Sequence, residues 1–297
     1  MLRITGLHKR FGEKEVLQGV TLTVPQGSIF GFLGQNGVGK TTTMKAILGL
    51  LQVDAGQILV AGEPVSYGNT ATNRHIGYLP DVPEFYPFMT AQEYLRFCGK
   101  LSGMKEPDLS QRIVQLLRLV GLEKEEHRIR GFSRGMKQRL GIAQALLHRP
   151  KLLICDEPTS ALDPVGRKEI LDILLAVRQE TTVLFSTHIL ADVERICTDV
   201  ALLHNGRIAM QGTLSRIRQL YPSDTYLVEA ERQDDRLALQ KEFPALQPKG
   251  ETALSFRAAD HDPAQVLRFI SMQGMPLLRW ERLEPSLEDV FLEVVEQ

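Results

Sequence analysis

Residues 28–51 read SIFGFLGQNGVGKTTTMKAILGLL. An apolar run, SIFGFL (28–33), enters a loop with glycines at 34, 37 and 39, and a helical pattern follows from Lys40. A short continuous apolar run marks a strand buried on both faces, hence a parallel sheet covered by helices. Gly34 to Thr41 fits G-x-x-x-x-G-K-T, in which each residue type has a physical reason. Gly34, Gly37 and Gly39 allow backbone angles and close approach that a Cβ forbids. The loop amides, with Gln35, Asn36 and Val38 between the glycines and Thr42 just after, then turn inward as a nest for phosphate oxygens. The following helix aims the positive end of its dipole at the same anion. Lys40 can reach the β- and γ-phosphates, and the Thr41 hydroxyl can ligate Mg²⁺.

Working outward, KLLIC (151–155), TVLFST (182–187) and DVALLH (199–204) are runs of the same buried-strand kind. KLLICDEP (151–158) ends in two acids, so Asp156 emerges at the carboxyl end of a strand, where α/β sheets bind ligands. Asp156 can hold Mg²⁺, mostly through water, opposite Thr41. Glu157 can orient or deprotonate an attacking water. His188 follows the next apolar run and can hydrogen-bond the γ-phosphate and position that water. HNGRI (204–208) carries a hairpin signal. LRITGL and VTLTV near the start read as antiparallel strands. Between 81 and 148 the pattern is helical. Thr90 and Glu93 form a capping box, Gln111 to Val120 is amphipathic and ends at Gly121, and a third helix runs from about Gly135 to His148. After 215 strand and helix patterns alternate from TYLVEA to SLEDVFLEVVE, a small α/β appendage with YPSD (221–224) near its boundary.

The 297 residues suit one large domain or two smaller ones. Hydrophobic content of 43% and charged content of 24% are those of an ordinary globular protein. A net charge of −1 argues against a broad basic surface, and so against general nucleic-acid binding. No run approaches the ~18–20 apolar residues needed to span a bilayer. The opening residues have no apolar h-region, so no secretory signal is expected. Cys98, Cys155 and Cys197 lack metal-ligand spacing, and reduced thiols are expected, with Cys155 buried and inert.

FSRGMKQRLGIAQALLHRPKLLICDEPTSALD (132–163) resembles the signature helix, second nucleotide motif and following loop of the ATP-binding cassette (ABC) proteins. The resemblance runs in order through about residues 1–215. RFG (10–12) matches the aromatic loop, which implies that Phe11 stacks on adenine. GQNGVGKT is the first nucleotide motif, and IGYLPD (76–81) matches a segment that usually ends in glutamine. FSRGM (132–136), ICDEP, SALD (160–163) and STH (186–188) complete the set. The implied fold is a P-loop NTPase cassette of α/β class over 1–215. It has a mostly parallel sheet core, an antiparallel β subdomain and a helical subdomain at about 82–148, and a small accessory α/β domain follows at 216–297. ATP and Mg²⁺ are the implied cofactors.

Two positions depart from the family pattern. The signature is commonly LSGGQ; here Arg134 and Met136 replace the second glycine and the glutamine, while Ser133 and Gly135 remain. Asp81 stands where glutamine is usual, and it can still meet Mg²⁺ or water. The resemblance implies a head-to-tail homodimer, or a pair with a similar subunit, in which Ser133 and Gly135 of one chain cover the γ-phosphate on the partner's loop. Asp163 falls in the loop crossing that interface; equally, Asp163-Pro164 makes a good helix N-cap and first-turn pair.

The family mostly drives transporters, which implies separate integral membrane permease subunits. Their docking point is expected at PDVPEFYPFMTAQEYL (80–95), with Phe85, Tyr86 and Phe88 exposed. Local core packing of these aromatics is the alternative. LEPSLEDVFLEVVE (283–296) resembles the tail domain of ABC-2-type exporters, including drug and antibiotic-resistance exporters, so export is expected over import. The appendage is expected to stabilise the dimer or regulate it. The expected location is the cytoplasmic face of the membrane. A soluble, non-transport ABC ATPase is the alternative.

Overall fold

The computed structural model describes residues 1–69, 71–221 and 224–296; Pro222 and Ser223 of the boundary stretch lie outside the described residues. In chain order the first part contains β1 (Leu2–Phe11), β2 (Lys14–Val24), β3 (Ile29–Leu33), α1 (Lys40–Ile47), β4 (Ala55–Val60), β5 (Glu63–Pro64) and β6 (Ile76–Leu79). It continues with α2 (Ala91–Leu101), α3 (Asp108–Leu119), α4 (Arg134–Ala145), β7 (Leu152–Asp156), α5 (Pro164–Val177), β8 (Thr182–Thr187), α6 (Leu190–Ile196), β9 (Asp199–His204) and β10 (Arg207–Thr213). The second part contains α7 (Leu214–Leu220), β11 (Thr225–Ala230), α8 (Gln233–Glu242), β12 (Gln247–Pro248), β13 (Ala253–Arg257), α9 (Pro263–Met272), β14 (Leu277–Arg282) and α10 (Leu287–Glu296). The contacts divide the chain into two compact units, Met1–Leu214 and Ser215–Gln297.

The apolar runs become one six-stranded sheet in the order β10-β9-β3-β8-β7-β6. From β9 to β6 every neighbour is parallel. β3, β7 and β8 are buried along their whole length, which is why their sequences do not alternate. β10 turns back antiparallel through Asn205 and Gly206, whose φ values of 46° and 74° are those of a type I′ hairpin turn. A second, antiparallel sheet has the order β2-β1-β4-β5. Its inner residues Leu2, Ile4, Leu22 and Val60 share one core with Phe30 and Phe32 of β3 and with Met44 and Ile47 of α1. α1 therefore starts from the glycine loop with its register fixed by buried packing.

α1 is shorter than its sequence pattern, ending at Ile47 rather than near Leu51. Gly49 has φ 68°, its N–H bonds the carbonyl of Ala46, and the N–H of Leu50 bonds that of Lys45. This paired closure spends the last carbonyls of the helix and stops it. α2, α3 and α4 are inserted between β6 and β7. The Thr90 hydroxyl accepts from the Glu93 N–H (3.2 Å) while the Glu93 carboxylate accepts from the Thr90 N–H (2.8 Å). α3 begins at Asp108, earlier than its apolar face suggests, and Gly121 past its end has φ 64°. α4 ends at Ala145, a turn before His148.

In the second unit every paired strand is antiparallel, in the order β12-β13-β11-β14. The connection β11-α8-β12-β13-α9-β14 is the βαββαβ, ferredoxin-like arrangement. Val228, Leu254, Phe256, Leu239, Val266 and Ile270 form its core. Tyr226 lies 5.6 Å from Phe256 and 5.8 Å from Trp280 between ring centres. Among the described residues no helix is long and apolar enough to cross a membrane.

Candidate active site

The loops after β3, β7 and β8 meet at the carboxyl edge of the parallel sheet, where the strands' parallel direction places them side by side. They enclose a cleft of about 330 Å³ lined by Asn36, Gly37, Gly39, Lys40, Thr41, Thr42, Asp156, Glu157 and His188, with Asp81 and Ser160 at its edges. Gly34 (φ 156°) has no room for a side chain, because a Cβ would lie 2.6 Å from the Leu203 carbonyl oxygen. Gly39 (φ 116°) is pressed on Leu17, where a Cβ would come within 2.7 Å of Cδ2. Val38 packs on the core, and Gln35 contributes its carbonyl.

No side chain caps the start of α1, and its first turn has no acid. Helix starts leave N–H groups without intrahelical partners. The first residues of α1, Lys40 to Thr42, line the cleft, where such N–H groups suit phosphate oxygens.

Lys40 is buried, yet its Nζ is held on three oxygens. It donates to the carbonyls of Gly34 (2.6 Å) and Gln35 (3.2 Å) and pairs with Glu157 Oε1 at 3.1 Å. Glu157 Oε2 meets His188 Nδ1 at 2.9 Å. The three residues expected to carry catalysis are thus one chain of contacts. Glu157 itself has φ 49°, an unfavourable backbone for a residue with a Cβ, and such strain gathers at functional sites.

The Thr41 hydroxyl donates to Asp156 Oδ2 at 2.7 Å. One hydroxyl and one buried carboxylate facing the same cleft form an all-oxygen pair. This suits Mg²⁺, which takes few protein ligands and completes its shell with phosphate oxygens and water. Among the described residues no group of three or more acidic, histidine or cysteine side chains could hold a metal by itself.

Asp81 lines the cleft at its rim, where burial raises its pKa, Arg134 opposes that, and Asp156 and Glu157 push it further up. Arg134 Nη2 stands 3.9 Å from Asp81 Oδ1. The two departures from the family pattern therefore face each other. Cys155 is fully buried behind Asp156, and burial, then the Asp156 charge, raises its thiol pKa well above the usual range.

Besides Gly34, Gln35 and Val38 of the loop itself, Phe11, Ser133, Gly135 and Asp163 are not among the residues lining this cleft. Phe11 ends β1, 49% exposed, with Lys9 Nζ 5.2 Å from the centre of its ring. It pairs with Lys14 on the hairpin whose Val16 lies against Gly39. Ser133 caps α4, its hydroxyl accepting from the Met136 N–H, and Gly135 sits in that first turn. Asp163 caps α5 by accepting from the Gly166 N–H at 3.1 Å, with Pro164 next. Sequence reasoning passed over Ser186, whose hydroxyl donates to Asp156 Oδ1 and accepts from the Glu157 N–H. The available signal was a hydroxyl residue directly after the apolar stretch Val183–Phe185 of the strand.

A second hollow, of about 440 Å³, runs from Asp81 and Phe85 to Arg130, Arg134 and Gln138. Tyr86 and Phe88 beside it are 48% and 59% exposed. Phe85, half-buried, stands edge-on to Tyr94 at 5.1 Å, and Tyr86 also packs on Tyr94, Phe97 and Phe88, so local packing and exposure coexist in this aromatic cluster.

Comparison with known proteins agrees with this geometry. Residues 17–160 match the ABC transporter family model, and residues 212–295 match the C-terminal domain of DrrA1-3-like ATP-binding proteins. An uncharacterised ABC transporter ATP-binding protein of Bacillus subtilis, YxlF, is 40% identical over 99% of both chains. The bacitracin transport ATP-binding protein BcrA of Bacillus licheniformis is 33% identical over 99% of this chain and 97% of its own. The solved ATP-binding subunit of an ABC transporter superposes with a TM-score of 0.67 at 35% identity, covering 74% of this chain and 93% of that one. Phosphate loop, acidic strand end, signature helix and tail domain together place the chain in the ABC transporter ATP-binding family, as an ATP-binding subunit with a DrrA-type C-terminal domain.

Proposed function

We propose that this chain hydrolyses ATP between two copies of itself and so powers export through a separate membrane permease. The observation that carries the catalytic reading is the continuous contact from Lys40 through Glu157 to His188, at the mouth of an uncapped helix start. On ATP binding, the phosphates take the loop amides and draw Lys40 from Glu157. Glu157, released on one oxygen and steered by His188 on the other, accepts a proton from the attacking water. Lys40 stabilises charge on the transferring phosphoryl group. Thr41 and Asp156 would hold Mg²⁺, which when bound neutralises phosphate charge.

Ser133, Gly135 and Asp163 stand away from their own chain's cleft. This supports a head-to-tail pairing in which they serve the nucleotide of the other copy. Exposed Tyr86 and Phe88 beside the hollow at Asp81 suit a short apolar helix from a permease. The transport and tail-domain relatives favour export, and the βαββαβ unit is assigned to holding or regulating the dimer. The test is ATPase activity of purified chain beside the variants Lys40→Ala and Glu157→Gln. Both should lose turnover by about 100-fold or more; unchanged turnover in either contradicts the mechanism. Co-purification with a multi-span membrane protein tests the partner.

A further inference from the structure

Ser186 is wholly buried, near the end of β8, directly opposite Asp156 in the parallel register. Leu184 and Phe185, just before Ser186 in β8, are buried apolar residues. The Ser186 Oγ instead works in both directions. It donates to Asp156 Oδ1 at 2.6 Å and accepts from the Glu157 N–H at 3.0 Å.

Both bonds bear on the site. Asp156 has two carboxylate oxygens, and with one committed to Ser186 the other is presented to Thr41. Glu157 leaves the strand ladder with φ 49°, and its N–H donates to the Ser186 hydroxyl on the neighbouring strand. A strained backbone persists only where its surroundings over-determine it. Beyond His188 a second tie, from the Thr159 hydroxyl to the buried Asp192 carboxylate at 2.7 Å, joins the same two chain segments. The Glu157–His188 contact therefore sits between two buried side-chain ties.

We infer that Ser186 is a positioning residue for hydrolysis. It holds the Glu157 backbone in the conformation that aims its carboxylate at Lys40 and His188, and fixes which oxygen Asp156 offers the cleft. This rests on the reading of Glu157 as the group that activates water.

The experiment compares Ser186→Ala and Ser186→Thr in the full chain. Three quantities are measured: kcat, ATP affinity in EDTA, and hydrogen exchange of the Glu157 amide. The alanine variant should lose about 10- to 100-fold in kcat, the scale of a misplaced catalytic group. Its metal-free ATP affinity should not fall, since the loop amides and Lys40 remain, and should rise by up to about thirtyfold where Glu157 no longer competes for Lys40. Its Glu157 amide should exchange at least about tenfold faster. Threonine, which restores the hydroxyl, should recover both kcat and protection; if its methyl prevents folding, Ser186→Cys should fall between alanine and wild type. A kcat within twofold in the alanine variant, a kcat loss with the Glu157 amide still protected, or no recovery by either conservative variant overturns the inference. Glu157→Gln is run alongside. If it too keeps full turnover, the hydrolysis reading itself has failed; if it alone is inactive, only the role of Ser186 has.

Discussion

The ion pair between Lys40 and Glu157 has a thermodynamic consequence that can be worked from the structure. Nζ and Oε1 are 3.1 Å apart, and the side chains are only 5% and 13% exposed. At that distance, with an effective dielectric constant near 20, the direct attraction is about 5 kcal/mol before desolvation is subtracted. Removing one partner of a buried pair typically costs ~3–5 kcal/mol, because the other charge is stranded. Lys40 is not wholly stranded, since it keeps the carbonyls of Gly34 and Gln35. The isosteric Glu157→Gln change should therefore destabilise the nucleotide-free chain by about 2 kcal/mol, or about 4–8 °C in melting temperature for a unit of this size. ATP reverses the sign. In the wild type the phosphates compete with Glu157 for Lys40; in the variant they do not. The same ~2 kcal/mol should appear as roughly thirtyfold tighter ATP binding. Thermal melts without nucleotide and titration calorimetry in EDTA, where hydrolysis cannot interfere, read the two quantities separately. A variant that melts with the wild type and binds ATP with unchanged affinity would refute the competition between carboxylate and phosphate.

Other outcomes follow from neighbouring contacts. Phe11→Ala should weaken ATP by about 1–3 kcal/mol while leaving inorganic triphosphate binding unchanged, because only a base can stack on the ring; calorimetry with the two ligands separates them. Thr41→Ala should leave metal-free ATP binding near wild type but abolish most of the extra thermal stabilisation that Mg²⁺ adds to ATP, seen by repeating the melt with and without EDTA. Asp54 accepts from the Arg10 N–H at 2.6 Å and from Lys9 at 3.2 Å, anchoring the strand end that carries Phe11. The Arg10 amide, then the Lys9 ammonium, hold its pKa below the ordinary 3.8. Its contribution is therefore complete above that ordinary value and is lost as pH falls through the lowered one. Two-dimensional NMR across an acid titration should show the Arg10 amide shifting only below about pH 4; a shift at higher pH contradicts the assignment.

The parts of the fold legible in the sequence are those where one physical constraint acts locally. SIFGFL, KLLIC and TVLFST read as buried parallel strands because burial on both faces leaves no polar alternation, and they are so placed. Thr90 with Glu93 and Asp163 with Pro164 were readable as caps because capping involves residues within one turn. What was not legible depends mostly on contacts between distant residues, the end of α1 excepted. α1 stops at Ile47 because its closing carbonyls are taken by Gly49 and Leu50, which its apolar pattern alone does not reveal. The two-residue strand β12 exists only through its pairing with β13. Ser186 was hidden in an apolar run, since its two partners arrive from another strand. The approach of Arg134 to Asp81 joins positions 53 residues apart (134 − 81), so two apparent irregularities of sequence are one contact of the structure.

The central claim is a clamp of two chains closed by ATP. Glu157→Gln keeps the shape of the side chain but removes the group assigned to water activation, so ATP should persist in it. Sedimentation of this variant tests the claim most directly. The 33.3 kDa chain should sediment as a monomer without nucleotide or with ADP, and at twice that mass with ATP and Mg²⁺. A monomer in all three conditions, at concentrations where ATP is bound, would contradict it.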